Sequence, residues 1–393
     1  MKLEIRLYRA GCAQGRYAVK AKGSIIAILS WADTCGRISG WSPFAYVPVD
    51  PYGNGLFCFK GNRGIPAGAT HVHMRCIASD FSRSEEMLAE IPKQFIPVPV
   101  EEKNWEEFTV LSDMHLVSKT WRIRRALQMA ECDAVFLVGD SVNDGTTEQF
   151  SELIKCIDDA AGEKAVFPVI GNHDIMHPAD SGNESGIRNY AAFHDFMMDR
   201  LRQRGIKLDS NRDDMAYAAA LGNVDVIGIQ CVISGRKFLF PEGRQLDWLE
   251  KQLAIRKDAA WHVILCHAPL LAHNPNRNEG NPYLDRNRRL QEIIEHSGNI
   301  IFVSGHTHIS PNVEGGCVEY DSERNIIYLN GGSIVTTSMG NEGGLMDPGW
   351  ADGCVSRIRI SDTEIEIGMR SVADGLWFPR GYYRFQRMKG RWL

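Results

Sequence analysis

Along the first hundred residues, apolar and polar positions alternate with a period of two. Leu3, Ile5 and Leu7 are interleaved with Lys2, Glu4 and Arg6, and Val72, Met74 and Cys76 with His71, His73 and Arg75. This period puts successive side chains on opposite faces of a strand, one buried and one wet. Gly- and Pro-rich clusters at 51–55, 61–64 and 66–68 punctuate the strands as turns. The pattern predicts a small all-β sandwich domain over 1–100, of the immunoglobulin or fibronectin kind. Within it, 80–90 reads as a short acidic helix. The stiff, extended stretch 96–100 closes the domain.

Beyond residue 107 the alternation gives way to unbroken apolar runs at 108–111, 134–138, 165–170, 263–265 and 300–303. Runs without a polar face are strands buried on both sides, as in parallel sheets. Helical periodicity follows at 119–130, 147–160, 187–204, 246–255 and 290–296. Strand and helix in alternation mean βαβ units. The runs 216–219 and 224–229 have no helix between them and predict a hairpin; β alternation returns at 326–329, 355–360 and 365–369. The expected second domain, 101–393, is therefore α/β.

Composition narrows the classes. With 44% apolar and 24% charged residues, the 393-residue chain is globular, not disordered or fibrous. No apolar run approaches the roughly 20 residues of a membrane span, and the N-terminus lacks the apolar core of a secretory leader. The net charge of −5 gives no general attraction to nucleic acid. The ten cysteines stand singly without a CxxC pair, the usage of reduced thiols, so a cytoplasmic protein is expected.

The polar residues that matter sit where the buried runs end. These ends read Ser112-Asp113-Met114-His115, Gly139-Asp140, Gly171-Asn172-His173-Asp174, Cys266-His267 and Gly305-His306-Thr307-His308. Ligand sites of open α/β sheets form at the carboxyl ends of the strands. Imidazole and carboxylate are donors for Zn, Fe and Mn, and the set is too rich for one ion. Two ions about 3.5–4 Å apart, sharing one carboxylate, would use it fully. In an extended turn, residues two apart point to one side, which suits Asp113 with His115 and His306 with His308. The tetrapeptide at 171–174 would arise by chance on the order of once in a thousand chains of this length.

Taken together, these motifs resemble the calcineurin-like metallophosphoesterases. The resemblance implies a four-layer αββα sandwich carrying two ions of Mn, Fe or Zn at one edge. It implies Asp113, His115 and His308 as ligands of one ion, Asn172, His267 and His306 as ligands of the other, and Asp140 bridging both. His173 would be the general acid, with Asp174 holding its imidazole. The implied activity is hydrolysis of a small phosphomonoester or phosphodiester by hydroxide held between the ions. A non-catalytic metal-binding scaffold and a nuclease are the alternatives.

Two departures narrow the branch. Protein Ser/Thr phosphatases carry Glu where Asp174 stands. Purple acid phosphatases place a tyrosine ligand where Asn143 stands, although the layout of a β domain before the catalytic one is similar to theirs. Asn143 becomes a candidate for the substrate phosphate. The polar loop 271–289 follows His267 and offers Arg277 and Asn281 as further substrate contacts, with His273 beside them. The basic, aromatic tail 377–393 reads as a terminal strand; single-stranded nucleic acid is its weaker reading.

Overall fold

The computed structural model describes residues 2–9, 12–20, 24–35, 43–48, 54–60, 69–78, 86–90, 105–116, 120–178, 183–234, 237–240, 244–270, 273–274, 288–313, 315–338, 350–373, 375, 377–388 and 391–392. The chain divides into two compact units, Met1–Lys103 and Asn104–Leu393. The first is strand-rich. One sheet orders Lys2–Arg9, Cys12–Lys20 and Asn54–Lys60; a second orders Pro43–Pro48, Ser24–Ala32, His71–Ala78 and Met87–Glu90. The helix expected over 80–90 is corrected in its described part. Met87–Glu90 is an edge strand, antiparallel to His71–Met74. Partner residues thirteen to nineteen positions earlier supply its pairing, which local charge pattern does not register. The stretch 96–100 lies outside the described residues.

The second unit is built on two seven-stranded sheets. The first runs Ala165–Val169, Ala134–Val138, Glu106–Leu111, Cys354–Ile360, Glu364–Ser371, Trp377–Met388 and Arg391–Trp392. Its motif-bearing strands are parallel, and the C-terminal strands join antiparallel at Glu106–Leu111. The tail is thus part of the sheet. The second sheet runs Leu208–Asn211, Ala216–Leu221, Val224–Gly228, Trp261–Leu265, Ile300–Ser304, Ile326–Asn330 and Val318–Asp321. Ala216–Leu221 and Val224–Gly228 form the hairpin the missing helix implied.

Both sheets contribute to one core. Phe136 packs on Phe108 and Phe167, and Phe167 meets Tyr217 of the other sheet with ring centroids 6.1 Å apart. The Tyr217 hydroxyl donates across to the carbonyl of Pro168. The helices Thr120–Gln128, Thr147–Ala161, Glu184–Gln203, Arg244–Ile255 and Arg288–Ser297 each bury one apolar stripe, such as Leu246, Leu249 and Leu253. Burying a side chain of that size is worth about 1.5–3 kcal/mol. Among the described residues no helix is long and apolar enough to cross a membrane, and eight cysteines are free, seven of them buried.

Candidate metal centre

Each motif begins where a central strand stops, and the strand ends are laced together by main-chain hydrogen bonds. The amides of Asp113, His115 and Leu116 donate to the carbonyls of Gly139, Asp140 and Ser141. In the second sheet Gly305 donates to the carbonyl of His267, and Gly331 to that of Ser304. Two of the candidate ligands also sew the sheets to each other. Asp113 accepts the amide of His306 at 3.0 Å, and His267 Nδ1 lies 2.8 Å from the carbonyl oxygen of Val138. A carbonyl only accepts, so Nδ1 donates to it and Nε2 is the ring atom left to face a ligand.

Close approach explains the glycines. A Cβ on Gly305 would strike Ser112 Oγ and a carboxylate oxygen of Asp113; one on Gly139, at φ 77°, would strike the His267 ring. The candidate ligands are themselves held in unusual backbone. Ten described non-glycine residues have positive φ, and five of them are Asp113, His115, Asp140, His306 and His308, between 42° and 66°. The left-handed region costs on the order of 1–3 kcal/mol for such residues and clusters at functional sites. The extended turn expected for Asp113–His115 and His306–His308 is thereby corrected: these four residues take left-handed backbone.

Three groups of donors result. Asp113, His115 and His308 offer ligand atoms within 4.8 Å of one another; so do Asp140, His267 and His306, and so do His115, Asp140 and His173. His306 and His308 therefore part into different groups. His115 Nε2 and His308 Nε2 are 3.1 Å apart. Two donors bound at about 2.0–2.1 Å with an angle near 90–110° would be about 2.9–3.4 Å apart. Asn172 brings a buried Oδ1 with no hydrogen-bond partner. His267 Nε2 is 3.3 Å from Asp140 Oδ2 but off the line a hydrogen bond needs. Buried polar atoms left this way are costly unless something binds them. The donor set, hard and borderline with no thiolate, fits divalent transition ions.

The electrostatics agree. Burial pushes the His115 imidazole down to about 4 and that of His306 down to about 3, so both are neutral donors near pH 7. Burial would raise Asp113, but His308 and His267 outweigh it and hold it at about 2. Asp140 falls below the usual carboxylate range, its burial outweighed by His267 and His115. His267 shows the field most directly: burial opposes its charge, yet Asp140 and Asp113 raise it to about 10. The field that binds a proton so firmly would bind a cation.

The remaining expectations divide. Asp174 does not hold the His173 ring, which corrects that assignment. Its carboxylate accepts from the amides of Ser141, Val142 and Gly171 at 2.8–3.0 Å. It thus ties the Gly139-Asp140 and Gly171-Asn172 loops together. Burial first, and then the charge of Asp140, raise it to about 7. The partner of His173 Nδ1 is the main-chain oxygen of Asn143, at 3.0 Å. The Asn143 side chain donates to Asp144. Arg277 and Asn281 lie outside the described residues. His273 stacks on Tyr328 at 3.7 Å and bonds Glu319. In the first unit His73 is buried and bonds Glu86, so its strand face is not the exposed one the alternation suggested.

The sequence motifs left the roles of the supporting residues unassigned. Ser112 Oγ donates to Asp113 Oδ2 at 2.5 Å, Ser333 Oγ to the Asp113 carbonyl at 3.1 Å, and Asn330 Nδ2 to the Gly305 carbonyl at 2.7 Å. Phe238 stands edge-on to His306 with ring centroids 4.9 Å apart. Ser112 and Asn330 stand at the ends of buried runs and carried a positional signal; Phe238, in the short strand Lys237–Leu239, carried none.

Similar solved structures include PhoD, 12% identical over 97% of this chain and 89% of that one, with a TM-score of 0.49. They include GAP50, the anchor in the inner membrane complex of Plasmodium, at 13% over 72% and 88%, with a TM-score of 0.45. A predicted phosphoesterase from Streptococcus pneumoniae follows at 14% over 72% and 99%, with a TM-score of 0.33. No curated protein sequence matches the chain. The family model described as calcineurin-like phosphoesterase matches residues 107–310, more than half of the chain. This chain belongs to the calcineurin-like phosphoesterase family.

Proposed function

We propose that this protein hydrolyses a small phosphoric ester, mono- or diester, with two ions of the Mn, Fe or Zn type. The observation that carries the reading is the pair of donor groups, Asp113–His115–His308 and Asp140–His267–His306, meeting at one edge of the two sheets. Asp113, His115 and His308 would hold one ion, His267, His306 and Asn172 the other, and Asp140 would bridge. Ions bound there supply Lewis acidity: they lower the pKa of water toward neutrality and offset charge on the phosphoryl oxygens.

The chain's own groups do the rest. Asp140 takes the His173 amide on Oδ1 at 2.7 Å and so leaves Oδ2 facing His267 and His115, 3.3 and 3.9 Å away. His173, with Nδ1 donating to the Asn143 carbonyl, keeps Nε2 to deliver a proton to the leaving oxygen. The third donor group, His115–Asp140–His173, favours a second reading in which His173 is itself a ligand. His173→Ala decides between them. Turnover of a phenyl ester, whose leaving group needs a proton, lost with metal content intact supports the acid; metal lost with it supports the ligand.

Asp140→Asn is the decisive variant. Turnover of 4-nitrophenyl phosphate and of its bis-aryl diester by Mn-, Zn- or Fe-loaded protein should vanish while far-ultraviolet circular dichroism stays unchanged. Retained turnover overturns the proposal, and the ester class that the wild type consumes names the substrate class.

A further inference from the structure

We infer that Gln149 is the positioning residue for the proton donor, acting through the main chain of Asn143. This rests on the reading of His173 as the general acid. The helix Thr147–Ala161 is capped by Thr146, whose side chain accepts from the Gln149 amide. Thr146 and Gln149 thus have the spacing of a capping box. In that motif the glutamine side chain turns back onto the amide of the cap residue itself. Here it reaches further.

Gln149 Oε1 accepts the amides of Asn143 at 3.2 Å and Asp144 at 2.8 Å, and its Nε2 donates to Asp144 Oδ2 at 2.7 Å. Asp144 Oδ1 in turn accepts Asn143 Nδ2 at 2.8 Å. The 143–144 turn is therefore fixed from its amide side by one side chain on a helix. The opposite side of the same peptide chain presents the Asn143 carbonyl to His173 Nδ1 at 3.0 Å. Just beyond, Asn189 Nδ2 donates to the Gly145 carbonyl at 2.9 Å and ties the turn to the helix Glu184–Gln203.

The chemistry follows from the acceptor. A carbonyl oxygen cannot donate, so it forces the proton onto Nδ1 and aims Nε2 away from the turn. It also steadies the imidazolium that a proton donor must pass through. A side chain orienting the ring could be swapped by one substitution; a main-chain carbonyl can be moved only by moving the turn. Gln149 holds that turn, while ordinary helix capping is supplied separately by the Thr146 hydroxyl.

Leaving-group dependence separates positioning from mere stability. Phenyl esters leave poorly and need a proton; 4-nitrophenyl esters leave well and need little help. Gln149→Met, measured on the ester class the wild type consumes, should lower kcat on the phenyl ester about tenfold and on the 4-nitrophenyl ester less than about twofold, with KM unchanged. Added to His173→Ala it should change nothing further. Gln149→Glu keeps both accepted amides but repels Asp144, so it should be impaired alone and rescued by Asp144→Asn; this pair serves if the Met variant does not fold. Equal losses on both esters, full additivity with His173→Ala, or no rescue overturns the assignment of Gln149. A His173→Ala enzyme without leaving-group selectivity instead overturns the acid itself.

Discussion

His267 and His194 are both buried, 0% and 4% exposed, and their surroundings drive them in opposite directions. His194 sits on the helix Glu184–Gln203 between the rings of Tyr190 and Tyr217, with centroids 6.2 and 5.9 Å away. Burial there outweighs Asp195, 3.7 Å off and largely exposed, and the imidazole drops to about 4. His267 is buried more completely, yet two buried carboxylates raise it to about 10. Burial alone expels charge; only the converging carboxylates of separate strands reverse it. A buried histidine is thus no mark of a site; what sets His267 apart is the pair of buried carboxylates, Asp140 and Asp113, that face it.

The hardest blow to this contrast is Asp113→Asn, which removes one of the two carboxylates that face His267. Metal content measured by elemental analysis should fall to background, and turnover should drop by on the order of a thousandfold or more. A variant that keeps both would show that the carboxylate field does not define the site. Next comes Gly305→Ala. Its methyl enters the space of Ser112 Oγ and Asp113, so overpacking should cost about 1–3 kcal/mol in denaturant unfolding and weaken metal retention. Unchanged stability and metal would mean that the strand ends are looser than the packing implies.

The smallest effect belongs to the other histidine. With a folded value near 4 against an ordinary 6.5, His194 takes up its proton in the unfolded chain first as pH falls. Its neutral form supports the fold above about pH 6.5, and that support drains away toward pH 4. The slope is at most about 1.4 kcal/mol per pH unit. His194→Leu should flatten the stability curve across that window and leave turnover unchanged. A steeper acid loss in the variant, or lost activity, would erase the distinction between the two histidines.

Much of the second unit was legible because buried runs and helical stripes are local patterns. The helix Thr147–Ala161 lies where the periodicity puts it, and the hairpin Ala216–Leu221/Val224–Gly228 follows from a missing helix. Met87–Glu90 was misread because its strand state comes from pairing with His71–Met74. Among the candidate site residues, adjacency misled in one case. Asp174 follows His173 directly but turns to the amides of Ser141 and Val142 in a neighbouring loop and of Gly171 in its own, and the main-chain carbonyl of Asn143, thirty residues before His173, takes its supposed role. Main-chain acceptors carry no side-chain signature, so no reading of residue types finds them.

The sequence by itself determined which donor groups the strand ends offer. Strands that end in Asp, His and Asn beside glycine can be read one at a time, since each motif is complete within four residues. Only the tertiary structure decided how the donors divide. His306 and His308 are two positions apart, yet left-handed φ at both sends one to Asp140 and His267 and the other to Asp113 and His115. It also decided what the His173 ring bonds, the Asn143 carbonyl in a turn whose amides Gln149 accepts. Ligand identity is a property of residues, whereas ligand grouping is set by backbone sign and by hydrogen bonds between strand ends distant in sequence.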